Sequence, residues 1–276
     1  MSTVAFWSPF PGSGCTSSSL IGAYAMGLQY RVRILLVNSG QAGSGVEALL
    51  PPIQGYEADS LHRFDEGGWD AIERLHASGA LTKHNVKDHA KPLIKDRLDL
   101  LTGSMNNMER LHKGQAEPLN SLLNAANEYY DLVIVEAGQE GRDASLLLQR
   151  AEFVVVHLTQ NMRELEQFFE GEMPSCMKDR KMHLVIGKYD PHARATLANI
   201  RRRFRYKGTM SAIPYTTGYL DAANRRDVGS FLQLHGWGGN EGKGKDSFSK
   251  HMAEFARLIM DGAGMRTILK RLERGA

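Results

Sequence analysis

The chain has 276 residues, 42% of them hydrophobic, enough to bury a substantial α/β core. Its formal net charge of +3 is too small to argue for nucleic-acid binding by itself, and two cysteines, Cys15 and Cys176, exclude a disulfide framework. No apolar run approaches the roughly 20 residues that cross a bilayer, and the N-terminus lacks a basic leader, so a cytoplasmic protein is expected.

Short apolar runs alternate with amphipathic stretches of helical length, which predicts a doubly wound α/β fold around a mostly parallel sheet. The first strand is expected over 4–8, on the run Thr3-Val-Ala-Phe-Trp7, and the first helix over 16–29. Between them lies Pro9-Phe-Pro-Gly-Ser-Gly-Cys-Thr16. Loops placed this way bind polyphosphates because backbone amides converge there with a helix N-terminus. Gly12, Ser13 and Gly14 supply such a cradle, and Thr16 or Ser17 a hydroxyl for magnesium. The slot after Gly14, where a lysine neutralises the outer phosphates, holds Cys15. Taken alone, Gly12-Ser13-Gly14 also suits an ordinary tight turn. Cys15 is read as a small neutral filler, with a thiolate favoured by the helix N-terminus as the alternative.

Further strands are expected over 33–38, 98–102, 131–137, 152–158, 183–188 and 210–214. Several are apolar on both faces, as buried parallel strands are. Helices are expected over 69–78, 118–130, 143–150, 163–169, 192–204, 221–226 and 247–261. Residues 235–245, with five glycines, read as a loop. The run containing Arg201, Arg202, Arg203 and Arg205, interleaved with aromatics, has two readings. It can follow a phosphate backbone, or be the solvated C-terminal end of a helix; the second is preferred. The ten histidines show no metal-like spacing with the cysteines. At the C-terminus, Met265, Ile268, Leu269 and Leu272 recur at i, i+3, i+4 and i+7 among basic residues. Such a helix suits peripheral contact with an anionic membrane, or docking on the body or a partner. The expected division is one domain over 1–262 and this amphipathic helix over 263–276.

The order of these segments resembles the ParA/MinD group of P-loop ATPases, and more narrowly their TadZ-like, pilus-assembly branch. The family loop K-G-G-x-G-K-(S/T) places its lysines on Phe10 and Cys15, its glycines on Pro11, Gly12 and Gly14, and its magnesium ligand on Thr16. The family's I-D-x-D strand end falls on Asn38 and Gly40. Tyr130-Asp-Leu-Val-Ile-Val-Glu-Ala-Gly138 resembles its Walker B segment, with Glu136 in the aspartate position and Gly138 closing the motif. Leu98-Asp-Leu-Leu-Thr-Gly103 is similar to the L-x-x-L-P-G strand of TadZ-like proteins. Val185-Ile-Gly-Lys-Tyr-Asp-Pro191 and Ile213-Pro-Tyr215 resemble the nucleobase-side segments, which places Lys188, Pro214 and Tyr215 near the base, with Gly187 where asparagine usually reads it.

The resemblance implies ATP or ADP with magnesium, a face-to-face homodimer and a partner from a pilus, secretion or partition system. The departures from the pattern weaken the first and imply a dimer that depends less on ATP, since the lysine that reaches across is absent at Phe10. A lysine–phosphate contact is worth roughly 1.5–3 kcal/mol, so losing two lowers affinity by roughly two to four powers of ten. Phosphoryl transfer depends on charge stabilisation and a positioned water, and Asn38 cannot accept a proton as a carboxylate does. Glu136 could still organise a water around magnesium, or merely pair with a surface arginine. The expectation is therefore a scaffold that binds nucleotide weakly or not at all. The rival readings are an ATPase using Lys188 or a partner's arginine, and a DNA-binding module using the arginine run.

Overall fold

The protein is described by a computed structural model covering residues 2–52, 67–105, 116–137, 142–178, 180–236 and 247–265. Eight strands form one sheet: β1 (Ser2–Trp7), β2 (Ile34–Asn38), β3 (Lys91–Ile94), β4 (Leu98–Leu101), β5 (Leu132–Glu136), β6 (Phe153–Leu158), β7 (Met182–Tyr189) and β8 (Thr209–Pro214). Their order is β3-β4-β2-β5-β1-β6-β7-β8. Every pairing is parallel except that of β3 with β4, an antiparallel edge. β1 sits in the middle, flanked by β5 and β6, which puts the loop after it at the carboxyl ends of the strands where doubly wound folds bind ligands.

Alternate residues of each central strand feed two separate cores, which explains the uninterrupted apolar runs. Val4, Phe6, Ile34, Leu36, Ile134 and Val155 pack under α1 (Cys15–Gln29) and α10 (Ser247–Gly262). Ala5, Trp7, Leu35, Val37, Val135 and Val156 face the opposite layer, where Ile72, Leu122, Leu148, Leu165 and Ile200 close the second core. Those five belong to α2 (Gly68–Ala77), α4 (Ala116–Tyr129), α5 (Arg142–Arg150), α6 (Met162–Glu170) and α7 (Leu197–Arg203). Twelve consecutive residues of α1, Ser18 to Gln29, are buried. A helix apolar on all sides is one enclosed by structure, here the sheet beneath and α10 above.

The structure departs from the sequence reading at five elements. The edge strand β3 was not expected, because Lys91-Pro-Leu-Ile94 carries a proline, which only an edge tolerates. Two helices are additional: α3 (Lys83–Asp88), opened by a Thr82–Asn85 capping box, and α9 (Val228–Gly236), which begins just before the expected glycine-rich loop. The helix expected over 192–204 begins only at Leu197. Asp190 Oδ1 accepts the His192 amide at 2.9 Å in a local turn, and Thr196 caps the helix by accepting the Asn199 amide at 3.2 Å. The helix expected over 221–226 is α8 (Thr217–Asn224).

Candidate functional site

The loop after β1 is tied down from below. The Ser8 hydroxyl lies 2.8 Å from the His157 carbonyl at the end of β6 and accepts the Phe10 amide at 3.1 Å. Phe10 folds back against the second core, so an inward apolar ring stands where the family pattern has a projecting lysine. Gly12 and Gly14 take φ values of 70° and 93°, left-handed conformations that glycine alone adopts without strain. No side chain among the described residues caps the start of α1, which leaves its first-turn amides available at the loop.

β7 presses closely on this loop. A Cβ at Gly187 would lie 2.4 Å from the Ser13 carbonyl oxygen, so a glycine is required there. Just beyond, the β7–β8 register shifts between Ile186 and Tyr189, and Lys188 takes a φ of 49°. Irregularities of this kind re-aim a side chain. The Lys188 Nζ donates to the Gly12 carbonyl at 2.9 Å. The sequence places Lys188 among base-side residues; the structure brings it onto the phosphate loop itself.

Cys15 is half-buried, and burial chiefly, with the nearby Glu136 carboxylate, pushes its thiol well above the usual range. Desolvation and a neighbouring anion thus act against the thiolate alternative, opposing the helix N-terminus. Glu136, at the end of β5, is buried. One of its oxygens accepts the Thr16 hydroxyl and the other the Val46 amide at 3.2 Å. Burial raises its pKa, the Thr16 and Val46 bonds moderate the rise, and the neighbouring Glu47 adds to it.

Asn38 is also buried, and both ends of its amide are engaged. Its Nδ2 donates to Glu47 Oε1 at 2.6 Å and to the Ser44 carbonyl at 3.0 Å, while Oδ1 accepts the Gly40 amide at 3.0 Å. Glu47, which the sequence reading missed, organises this region from a 3₁₀ turn over Gly45–Leu49. It also accepts the Gly103 amide at 2.7 Å and the Gly43 amide at 2.8 Å. The available signal was a lone acid in the glycine-rich stretch after β2. Tyr219, on α8, was missed as well: its hydroxyl is buried beside Ser17, whose contact partly offsets the rise that burial gives its pKa.

Thr16 and Glu136, the two residues assigned to magnesium, therefore satisfy each other directly. The Thr16 hydroxyl donates its proton to the carboxylate and keeps its lone pairs, so the pair would still offer oxygen ligands to a magnesium ion beside it. Pro214 pairs with Tyr189, whose carbonyl accepts the Tyr215 amide at 3.0 Å, and the Tyr215 side chain is 56% exposed. Gly138 lies outside the described residues.

The arginine run closes α7. Arg201 donates to the Met210 carbonyl at 3.2 Å, Arg202 to Asn199 Oδ1 at 3.0 Å, and Arg203 pairs with Glu166 at 2.5 Å, so three guanidinium groups are held by the chain itself. Arg205 follows the helix in a left-handed conformation. Met265 is buried in the first core; Ile268, Leu269 and Leu272 lie outside the described residues. Among the described residues no helix is long and apolar enough to cross a membrane.

No family model matches the sequence, and no curated protein matches it. Solved structures do. A ParA family ATPase from Chlorobium tepidum aligns with 93% of this chain and 98% of its own, at 17% identity and a TM-score of 0.67. The septum site-determining protein MinD from Pyrococcus horikoshii, solved with Mg-ADP, covers 95% and 98% at 13% identity and a TM-score of 0.64. A variant of Cyanothece McdA, solved as its ATP complex, covers 98% and 99% at 12% identity and a TM-score of 0.64. Over nearly its whole length, then, this chain has the fold of the ParA, MinD and McdA proteins, carried by a sequence that shares at most 17% identity with these three.

Proposed function

We propose that the chain is a positioning or assembly scaffold of ParA/MinD type, nearest the TadZ-like branch, with little or no ATP hydrolysis. Its role is to localise a pilus or secretion assembly, or another cargo, within a bacterial cell. One observation carries this reading. The groups that would drive hydrolysis are replaced by groups engaged in structure: a neutral thiol at Cys15 and an amide at Asn38 bonded to Glu47 and Ser44. Without a carboxylate to orient water or a lysine at Cys15, phosphoryl transfer lacks most of its electrostatic help. Likeness to structures solved with Mg-ADP and with ATP supports adenine nucleotide as the ligand class; the absent lysines make its hold weak, and the homodimer of this reading depends little on ATP.

The test is phosphate release from Mg-ATP alongside sedimentation of the purified chain. Release at the background rate and a dimer present without nucleotide are expected. Turnover abolished by Thr16→Ala, or a monomer that dimerises only with ATP, would refute the scaffold. A second reading, an ATPase with a relocated cation, draws on the Lys188–Gly12 contact. It predicts turnover that Lys188→Ala removes.

A further inference from the structure

At the amino ends of β2 and β4, the end of the sheet opposite the loop after β1, lies a cavity of about 230 Å³ that the function proposed above does not use. The β3–β4 turn builds part of its wall. Lys95 and Asp96 form the tip, and the Arg97 amide donates to the Ile94 carbonyl at 3.0 Å. Asp96 takes a φ of 58°, a left-handed conformation that aspartate enters more readily than most residues. The pairing of Ile34 with Leu98 then sets Arg33 and Arg97 side by side, one position before the ladder begins. Lys87, in the last turn of α3, and Tyr129, at the end of α4, complete the lining that the argument needs.

Four cationic side chains thus border one small space. The Arg33 guanidinium lies 4.9 Å from the centre of the Tyr129 ring and the Lys87 ammonium 5.5 Å from it, so one ring carries two cations. Arg97 is steadied by donating one nitrogen to the Tyr30 carbonyl at 3.0 Å, and a guanidinium has further N–H groups to offer. Asp131 offsets part of the Arg33 charge at 3.6 Å. Among the described residues two carboxylates line the cavity, Asp96 and Asp99. Asp99 accepts the Tyr130 hydroxyl at 2.8 Å; burial raises its pKa, while that bond and Lys87 hold the rise back.

Cations gathered in a walled cleft focus the potential and draw in an anion. The carboxylates would repel a bare anion, but they accept hydroxyl protons. One molecule meets both demands when it is anionic at one end and carries hydroxyl groups at the other. A phosphate offers about two negative charges and three acceptor oxygens, which suits four donors arriving from separate elements better than a single carboxylate does. Sites for drug-sized ligands run to roughly 300–1,000 Å³, so this cavity takes something smaller. Its aromatic ring is already occupied by cations and gives a nucleobase no platform.

We infer that this cavity binds a small phosphate monoester bearing hydroxyl groups, with Arg33, Arg97, Lys87 and Lys95 around the phosphate and Asp96 and Asp99 accepting the hydroxyls. The site is separate from the loop after β1 and does not depend on what that loop holds.

The experiment is calorimetric titration of the full chain at low salt with ribose 5-phosphate, inorganic phosphate, ribose and succinate, with amide NMR locating each ligand. Ribose 5-phosphate should bind with a Kd below about 1 mM, about fivefold or more tighter than the other three. It should shift the amides of Arg33, Asp96, Arg97 and Asp99, and added salt should weaken it. Arg33→Ala and Lys87→Ala should each weaken binding about tenfold, the scale of one charge-assisted hydrogen bond, and Arg33→Lys less. Asp99→Asn should erase the preference for ribose 5-phosphate over inorganic phosphate while inorganic phosphate binds at least as tightly as before, a split that lost structure would not produce. Urea unfolding of each variant checks that it is folded. Inorganic phosphate or succinate matching ribose 5-phosphate on the unaltered chain would overturn the inference. So would binding that ignores both Arg33→Ala and Lys87→Ala, shifts confined to residues 12–17, or no binding of ribose 5-phosphate at about 10 mM.

Discussion

Glu47→Ala tests whether the segment after β2 is held by one buried carboxylate. The side chain accepts three donors, and their surroundings differ. The Gly103 amide is buried, so its loss of a partner carries the full penalty of an orphaned donor, about 1–3 kcal/mol. Asn38 Nδ2 loses its contact with a carboxylate but keeps the Ser44 carbonyl, a loss of about 1 kcal/mol. Gly43 is exposed, and water replaces its partner at almost no cost. The sum is about 2–4 kcal/mol, a large share of the roughly 5–15 kcal/mol typical of a domain. Glu47→Gln keeps an acceptor oxygen for Asn38 and Gly103 and turns its amide toward Gly43, so about 1 kcal/mol is expected. Urea unfolding monitored by circular dichroism measures both variants, and amide exchange at Gly103 should accelerate only in the alanine variant. A cost below about 1 kcal/mol for Glu47→Ala, or equal costs for the two variants, would refute this account.

Three further outcomes are expected. His157 and His183 are buried, and desolvation chiefly lowers their pKa values to about 3 and about 4, with a smaller part from repulsion between the two rings for the first and from Arg201 for the second. Between those values and the usual 6.5 the unfolded chain binds more protons than the folded one, so stability falls as pH falls. The slope should be about 1.4 kcal/mol per pH unit for each histidine, read from urea midpoints between pH 6 and 4. Neither ring nitrogen of His157 has a partner among the described residues, and its ring stacks on Phe6 at 5.6 Å, so His157→Leu should remove that histidine's part of the slope and stabilise the fold at acid pH. Cys15 should resist iodoacetamide at pH 7–8 in a Cys176→Ser background, since burial keeps its thiol neutral; rapid alkylation of the folded chain would contradict this. Gly187→Ala forces a Cβ to within 2.4 Å of the Ser13 carbonyl, so loss of about 2 kcal/mol or more is expected by thermal melting, and an unchanged melting temperature would count against the packing of β7 on the loop.

The alternation of short apolar runs with amphipathic stretches determined the fold class, because a strand buried on both faces must be apolar throughout and its covering helices must be amphipathic. The phosphate-loop position was legible for a similar reason: Gly12 and Gly14 serve left-handed backbone, and that need is local. The resemblance to the ParA/MinD pattern drew attention to the uncharged residues Cys15 and Asn38. It did not reveal what those residues do instead. The Glu47 network joins residues 56 positions apart, the Glu136–Thr16 clasp spans 120, and Lys188 meets Gly12 across 176. A hydrogen bond at such separation leaves no periodicity in the sequence, and the edge strand β3 exists only because β4 offers it a partner. The chain's own residues set its layers and its loop; only the packing of β5 and β7 around that loop decided that Glu136 and Lys188 are the side chains that reach it.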